Sequence, residues 1–511
     1  MRVCYLHLSF NLYRMLKGRM FKGCWLLSDL DGTLIPTPHK AHGEYKKLTE
    51  ASTFPALKGW FKQGGNLCVV TTADKRVFEQ VYFPIKQHLK SRADPISPNN
   101  ASGELLLSLY TGAVLYRCTR EGIDELPGYC DPTLPLDRRE TCFNEETCDK
   151  LTSIILEIYL KMVEDALHHR APLEKGWEKL LSHRYQLMWA SILKHLRNRL
   201  GERKAYLKEN TQKRSAQRFA HLDYLIHDGN DTEWMVQYIR DQRQLLVNVG
   251  IVRRETLKSQ EELDDMVKSR SLGSNEIHAS TIRDNVAREE SSEMGSATDA
   301  ILQAAPKRVR SRRYAQLIVV GVPMKLHDHY FKKYYSAFEA LNVNPIAQPN
   351  SVVFSHKGVS KGTTVNYLDR SLVSEGEDYP HFRGTVDFGK ALSLGDNPHS
   401  ADRELALFPH LPFISFERTK QRSLRNDEID RYHTDGLLDD RQMAHVRYVG
   451  NEEDGCANFL SNLTDLVVER KCDSQFCQRL AADEFRTFAF EAAERVRLAT
   501  TEPSVTTPSK L

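Results

Sequence analysis

The chain has 511 residues, 41% hydrophobic and 27% charged, which is enough apolar content for two ordered domains joined by polar linkers. A net charge of +3, with no basic stripe interleaved with aromatics, leaves no electrostatic footprint for nucleic acid, and no apolar run reaches bilayer-spanning length. The ten cysteines are scattered; the nearest cluster, Cys130, Cys142 and Cys148, has no zinc-ligand spacing, so free thiols in a reducing compartment are expected.

Residues 1–22 read as an N-terminal extension. As far as residue 28 there is no acid, while Arg2, Arg14, Lys17, Arg19 and Lys22 are basic, a composition that suits a mitochondrial presequence or an over-extended gene start ahead of Met20. The apolar run Trp25 to Leu27 reads as a buried strand ending in Asp29 and Asp31. Residues i and i+2 of a strand face the same side, so both carboxylates project together into the crevice beyond the strand's carboxyl end. Gly32 and Thr33 then turn the chain. One helix is expected from about Lys46 to Lys62, closed by a Gly-Gly turn. Leu67 to Val70 form a second strand ending in Thr71 and Thr72, whose hydroxyls can hold a phosphoryl oxygen; two adjacent threonines leave open which one faces the crevice.

Farther on, residues 145–220 alternate apolar and charged positions at helical spacing. Leu245 to Glu255 read as a strand ending in Arg253 and Arg254, a pair better explained by solvation than by phosphate binding, although arginine suits bidentate phosphate contacts. From about Glu255 to Arg313 the chain is rich in Ser and charge and poor in aromatics, and is expected to be disordered. Its end, KRVRSRR, reads as a charged linker edge. LIVVGV and SVVFSHKG are further strands. Ser360 then reads as a helix N-cap with Lys361 in the first turn, where a cation and unpaired backbone N–H groups form an anion site. Lys357 also precedes a glycine, but within a strand, so Lys361 is preferred. Ala391 to Leu394 is another strand, followed by Asp396, Asn397 and Asp402, oxygen ligands suited to a hard cation such as magnesium. His356 and His399 flank this region and read as solvated or structural. LPFISFE and HVRYVG are the last strands, CANFLSNLTDLVVE a closing helix, and 472–499 an amphipathic helix carrying Phe476, Phe485, Phe488 and Phe490, expected to pack within the chain. The chain finishes Ser509-Lys510-Leu511, the tripeptide read by the peroxisomal import receptor, so a peroxisomal or glycosomal location is expected, with the cytoplasm as alternative.

Asp-x-Asp, then Thr, then Lys-Gly, then Gly-Asp, in that order and each at a strand or helix end, resembles the haloacid dehalogenase superfamily of phosphohydrolases. The resemblance implies an α/β fold with a Rossmann-like, parallel-sheet core and an inserted α/β cap. It casts Asp29 as nucleophile, Asp31 as general acid/base, Thr71 or Thr72 and Lys361 as phosphoryl binders beside Gly32, and Asp396 as a magnesium ligand. Asp29 and Asp31 would share the metal site with Asn397 or Asp402. The family usually places its second acid four or five residues after the Gly-Asp aspartate, whereas Asp402 lies at six, so Asn397 and Asp402 remain alternatives. An acid at Asp31 favours phosphate esters over halogenated substrates. About 40 positions separate Asp29 from Thr71 but about 290 separate Thr71 from Lys361, so the cap must lie in the second interval, as in C2-capped members. LYTGAVLY and GVSKGTT resemble the Cof-like branch, and the strand ending in Arg253 faintly resembles the phosphomannomutases; sucrose-phosphatase-like proteins share the architecture. The expected boundaries are core at 23–118, cap at 119–350, core again at 351–470, and a C-terminal helix and tail at 471–511. The function so implied is a magnesium-dependent phosphatase of a small-molecule phosphate ester, with sugar phosphates favoured, acting through an aspartyl phosphate. A phosphomutase and a non-catalytic binding protein are the alternatives. No nucleic acid or membrane partner is expected, and the chain is expected to be a monomer or homodimer.

Overall fold

The computed structural model describes residues 20–37, 45–90, 103–126, 129, 141–213, 231–241, 250–272, 312–348, 350–372, 384–398, 402–417, 445–471 and 480–501. Residues 1–19 of the presequence-like segment, residues 307–311 of the basic cluster, Cys130, His399, Phe476 and the Ser509-Lys510-Leu511 tripeptide lie outside them. In chain order the elements are β1 (Trp25–Ser28), α1 (Phe54–Lys62), β2 (Asn66–Val70), β3 (Leu105–Leu109), β4 (Val114–Cys118) and β5 (Ile123–Glu125). Next come α2 (Glu145–His168), α3 (His183–Lys213), α4 (Asp231–Asp241), β6 (Val252–Thr256), α5 (Gln260–Leu272), β7 (Tyr314–Val320), β8 (Val343–Gln348) and β9 (Ser351–His356). The chain then runs through α6 (Lys361–Leu368), β10 (Ala391–Gly395), α7 (Arg403–Ala406), β11 (Phe413–Ser415), β12 (Val446–Tyr448), α8 (Glu452–Lys471) and α9 (Ala482–Thr501).

Every residue of β1, β2, β3 and β10 is buried, as a parallel sheet covered on both faces requires. These strands belong to an eight-stranded sheet of order β12-β11-β10-β1-β2-β3-β4-β5. It is parallel from β12 to β3, and β4 and β5 add an antiparallel edge. After β1 the chain moves outward through β2 and β3; when it returns it enters at β10, on the other side of β1, and moves outward in the opposite direction. The sheet therefore reverses its order between β1 and β10, and a crevice opens there beyond the carboxyl ends of both strands.

The expected helix from Lys46 to Lys62 is divided. A 3-10 turn at Leu48–Glu50 precedes α1, which starts afresh at Phe54. Pro55 is the reason: it has no N–H to donate to a preceding turn and is tolerated only in the first turn of a new helix. Helix α1 buries Leu57, Trp60 and Phe61, and Trp60 packs against Phe21 at a centroid distance of 4.4 Å. On the same side of the core, α9 buries Phe485 and Phe488, with Phe485 6.2 Å from Trp60.

The inserted domain is built on a second sheet, of order β6-β7-β9-β8 and antiparallel throughout. Helices α2, α3 and α4 cover it around a cluster that includes Tyr159, Trp177, Trp189, Leu317 and Phe354.

Three of the expected boundaries shift. β9, expected to open the second core segment at 351, is fully buried in the cap sheet with β7 on one edge and β8 on the other, so the core resumes only with α6. β5, expected in the cap, pairs with β4 as an edge strand of the core. Of the segment 255–313, expected to lack structure, 273–311 lies outside the described residues, but its first part contains α5, and this helix sits on the core: Leu257, Leu263 and Val267 join its apolar cluster, and Gln260 donates to the Ile123 carbonyl. Two bidentate ion pairs reinforce the junction, Arg270 with Glu79 and Arg313 with Glu125. The burial of Leu263 and Val267, four residues apart, outweighs the charged composition of the rest.

Candidate active site

Asp29 follows β1 directly, and its N–H donates to the Leu394 carbonyl of β10 at 2.9 Å, which stitches the two strands together at the reversal point. Two residues later the chain folds back, with the N–H groups of Leu34 and Ile35 both donating to the Leu30 carbonyl. Gly32 sits in this turn at φ +83, and a Cβ there would stand 2.3 Å from Asp396 Oδ2. Only glycine combines that backbone with so close an approach. The carboxylate after β10 is thus laid against the loop after β1.

Lys361 arrives from the far side. Ser360 caps α6: its Oγ accepts from the Gly362 N–H at 3.1 Å, and Thr363 Oγ1 accepts from the Ser360 N–H at 2.9 Å. The cap fixes the first turn, and from it the Lys361 ammonium reaches Asp29 Oδ1 and Asp402 Oδ1, both at 2.6 Å, with the side chain only 2% exposed. The other Asp402 oxygen accepts the backbone N–H groups of Asp396 and Asn397, both at 3.0 Å. Asp402 therefore bridges the ammonium and the Gly-Asp loop. Asp29, Asp396 and Asp402 each offer an oxygen within 4.8 Å of the others. Behind α6, Ser108 Oγ lies 2.5 Å and Tyr129 Oη 3.0 Å from Thr364 Oγ1, so buried hydroxyls tie this helix to β3 and to the entrance of the cap.

The other expected residues divide. Asp31 is partly exposed; its Oδ2 accepts from Arg76, while its Oδ1 is buried with no partner among the described residues. Thr71 is buried and its hydroxyl accepts from the Ala73 N–H at 3.1 Å, whereas Thr72 is half-buried. Asn397 contributes its backbone N–H to Asp402. Lys357 turns outward to Glu339 at 2.7 Å. His356 packs its ring against Phe143, with centroids 5.9 Å apart. Arg254 pairs with Asp149 at 2.7 Å, and Arg253 Nε donates to the Gly250 carbonyl at 3.2 Å.

Sequence reading missed Arg76. It stands inside the string TTADKR, but its pairing with Asp31, 45 residues away, had no local signal beyond its charge and its nearness to the end of β2.

Burial governs the electrostatics. It pushes the Asp29 carboxyl up from 3.8 to about 7, with Asp402 and Asp31 adding to the rise and Lys361 opposing it. Asp396 is likewise held well above the usual carboxylate range, by burial first and then by Asp402 and Asp29. Burial alone would depress Lys361, but the Asp29 and Asp402 carboxylates outweigh it and the ammonium is held more firmly than usual. Three carboxylates around one ammonium leave two surplus negative charges when all are ionised. A divalent cation fits that surplus, and the all-oxygen donors of Asp29, Asp396 and Asp402 suit a hard ion; Asp31, expected among the metal-side acids, is not in this group.

No family model and no curated protein matches the sequence. Among solved structures, TM0651 from Thermotoga maritima matches at 10% identity over 86% of this chain and 96% of that one, with a TM-score of 0.31. A haloacid dehalogenase-like hydrolase from B. subtilis matches at 11% identity over 86% and 99%, with a TM-score of 0.33. The trehalose-6-phosphate phosphatase of Aspergillus fumigatus matches at 10% identity over 94% and 97%, with a TM-score of 0.27. Likeness at these scores adds nothing to the chemistry, for which the geometry of the site is the basis.

Proposed function

We propose that the chain is a magnesium-dependent phosphohydrolase of the haloacid dehalogenase type, acting on a phosphate monoester of a small metabolite. The observation that carries this reading is the convergence of Asp29, of Lys361, and of Asp396 with Asp402, from three sequence-distant segments, at the reversal point of a parallel sheet.

The residues divide the work as follows. Asp29 attacks phosphorus in line; a bond forms between its carboxylate and phosphorus as the ester P–O bond breaks, which splits one hard displacement into two easier ones. Asp31 supplies the proton to the departing oxygen. In the second half it takes a proton from water as the new P–O bond forms and the Asp29–phosphorus bond breaks. Lys361 neutralises charge on the equatorial oxygens from its fixed position between Asp29 and Asp402. Thr71 or Thr72 offers a hydroxyl to the same oxygens: the Thr71 hydroxyl accepts from the Ala73 N–H and keeps its own O–H to donate. Asp29 and Asp396 would hold the magnesium, which supplies charge neutralisation and polarises the phosphoryl group. Asp402, with both oxygens spoken for, orients the loop and the ammonium instead of leading the ligand set.

Sugar phosphates are the ester class we propose. The test is a panel of sugar phosphates and other small phosphate esters, assayed for free phosphate with magnesium and with chelator. Release expected with magnesium should vanish with chelator and fall by more than about 10³-fold in Asp29→Asn. Phosphate release unchanged in that variant would remove Asp29 as nucleophile, and isomer formation without phosphate release would favour a phosphomutase.

A further inference from the structure

Arg76 is fixed more tightly than a surface arginine needs to be. One of its terminal nitrogens donates to Asp31 Oδ2 and the other to Gln80 Oε1 at 2.6 Å, and its Nε lies 4.0 Å from Asp74 Oδ1. The guanidinium carbon stands 3.5 Å from the centre of the Tyr45 ring. Gln80 is 5% exposed and also donates to the Lys46 carbonyl at 3.3 Å, so one buried amide holds both the arginine and the strand of chain that carries the ring. Asp74 completes the arrangement by accepting the Arg76 N–H at 3.0 Å.

Both terminal nitrogens of the planar fork are thus engaged, and one of them grips one oxygen of Asp31. The other oxygen, Oδ1, is buried with no partner among the described residues. A carboxyl side chain turns about two bonds, and with Oδ2 gripped only one direction remains for Oδ1. We infer that Arg76 is a positioning residue: it fixes the orientation of the Asp31 carboxyl for the two proton transfers, to the oxygen that leaves phosphorus and, later, from the attacking water. Lysine cannot substitute, because a point charge on a flexible stem cannot hold Asp31 and Gln80 together while lying flat on a ring. The arrangement reaches the reacting atoms only through Asp31, so Arg76 touches no substrate.

The inference rests on the phosphatase reading above, and its test separates the two. Arg76→Ala is assayed with p-nitrophenyl phosphate, whose leaving group needs no proton, by rapid mixing and in the steady state. The expected result is a retained burst of p-nitrophenolate, showing an intact fold and intact attack by Asp29, with kcat lower by about 10²-fold, KM lower in step with it and kcat/KM within about threefold of the unmodified protein. Added guanidinium ion should restore part of kcat, which a merely structural role would not allow. Should Arg76→Ala fail to fold, Arg76→Lys keeps the charge and the stem, and a kcat loss of about tenfold with unchanged kcat/KM supports the same role. A wild-type kcat in either folded variant overturns the inference and leaves the phosphatase reading intact. A rise in KM without a fall in kcat also overturns it, since that marks a substrate contact. If the unmodified protein with magnesium releases no phosphate from any ester, both fall.

Discussion

Replacing Lys361 with methionine removes one charge from the centre of the site and little else, since the two side chains are similar in length and the stem packing survives. The ammonium is almost wholly buried and donates at 2.6 Å to both Asp29 and Asp402. Removing one partner of a buried ion pair leaves the remaining charge uncompensated and costs about 3–5 kcal/mol. For a domain of this size that corresponds to a melting temperature lower by roughly 8–15 °C. The loss should depend on pH in a definite direction. Stranded carboxylates escape their penalty by taking up protons, and Asp29 already holds its proton up to about pH 7. At pH 5 the ammonium therefore has less charge to neutralise than at pH 8, so the destabilisation should be small at pH 5 and full at pH 8. The assay is thermal unfolding in chelator at both values, beside phosphate release with magnesium, which should fall by about 10²–10³-fold. A melting temperature unchanged at pH 8, or lowered equally at both values, would refute the charge-balance argument.

Two further outcomes follow from the same geometry. Because the Asp29 carboxyl lies at about 7 in the folded protein against 3.8 for a free side chain, its contribution to stability is fully present below about pH 4 and is lost as pH rises through 7. In chelator the protein should lose stability across that window, and the stabilisation gained on adding magnesium should grow over the same range; calorimetry at pH 5, 6, 7 and 8 checks both. Gly32→Ala would place a methyl group 2.3 Å from Asp396 Oδ2 at φ +83, costing about 1–3 kcal/mol and displacing the carboxylate. Phosphate release and magnesium stabilisation should both fall in that variant, measured by activity and by the melting shift with the ion.

The residues at the strand ends could be read from sequence because a parallel strand announces its own terminus. Trp25–Ser28 and Ala391–Gly395 are buried on both faces, so an unbroken apolar run stops where the chain leaves the sheet, and the first acid after the run stands in the crevice. Ser360 and Lys361 were readable for a similar reason, the cap residue marking the helix start. The placement of β9 was not readable, because a short apolar strand looks the same in either sheet and its partners β7 and β8 are set by tertiary pairing. Helix α5 escaped because only Leu263 and Val267 mark its buried face amid charge. Yet Ser259 and Glu262 exchange hydrogen bonds between each side chain and the other's N–H, a reciprocal start signal present in the string SQEE. The Arg76 contact with Asp31 joins the first helical turn after β2 to the loop after β1, and a contact between segments 45 residues apart carries no periodicity.

Helix α5 has a mechanical consequence. A lid inserted between two core strands ordinarily hangs on two stretches of chain and can swing about them as on a pair of hinges. Here the chain leaves the core after β5, comes back to seat α5 against β5, departs again to β7 and returns finally at α6, so four strands of tether run between the bodies. Wide opening would have to peel a helix and its Arg270–Glu79 clasp from the core wall.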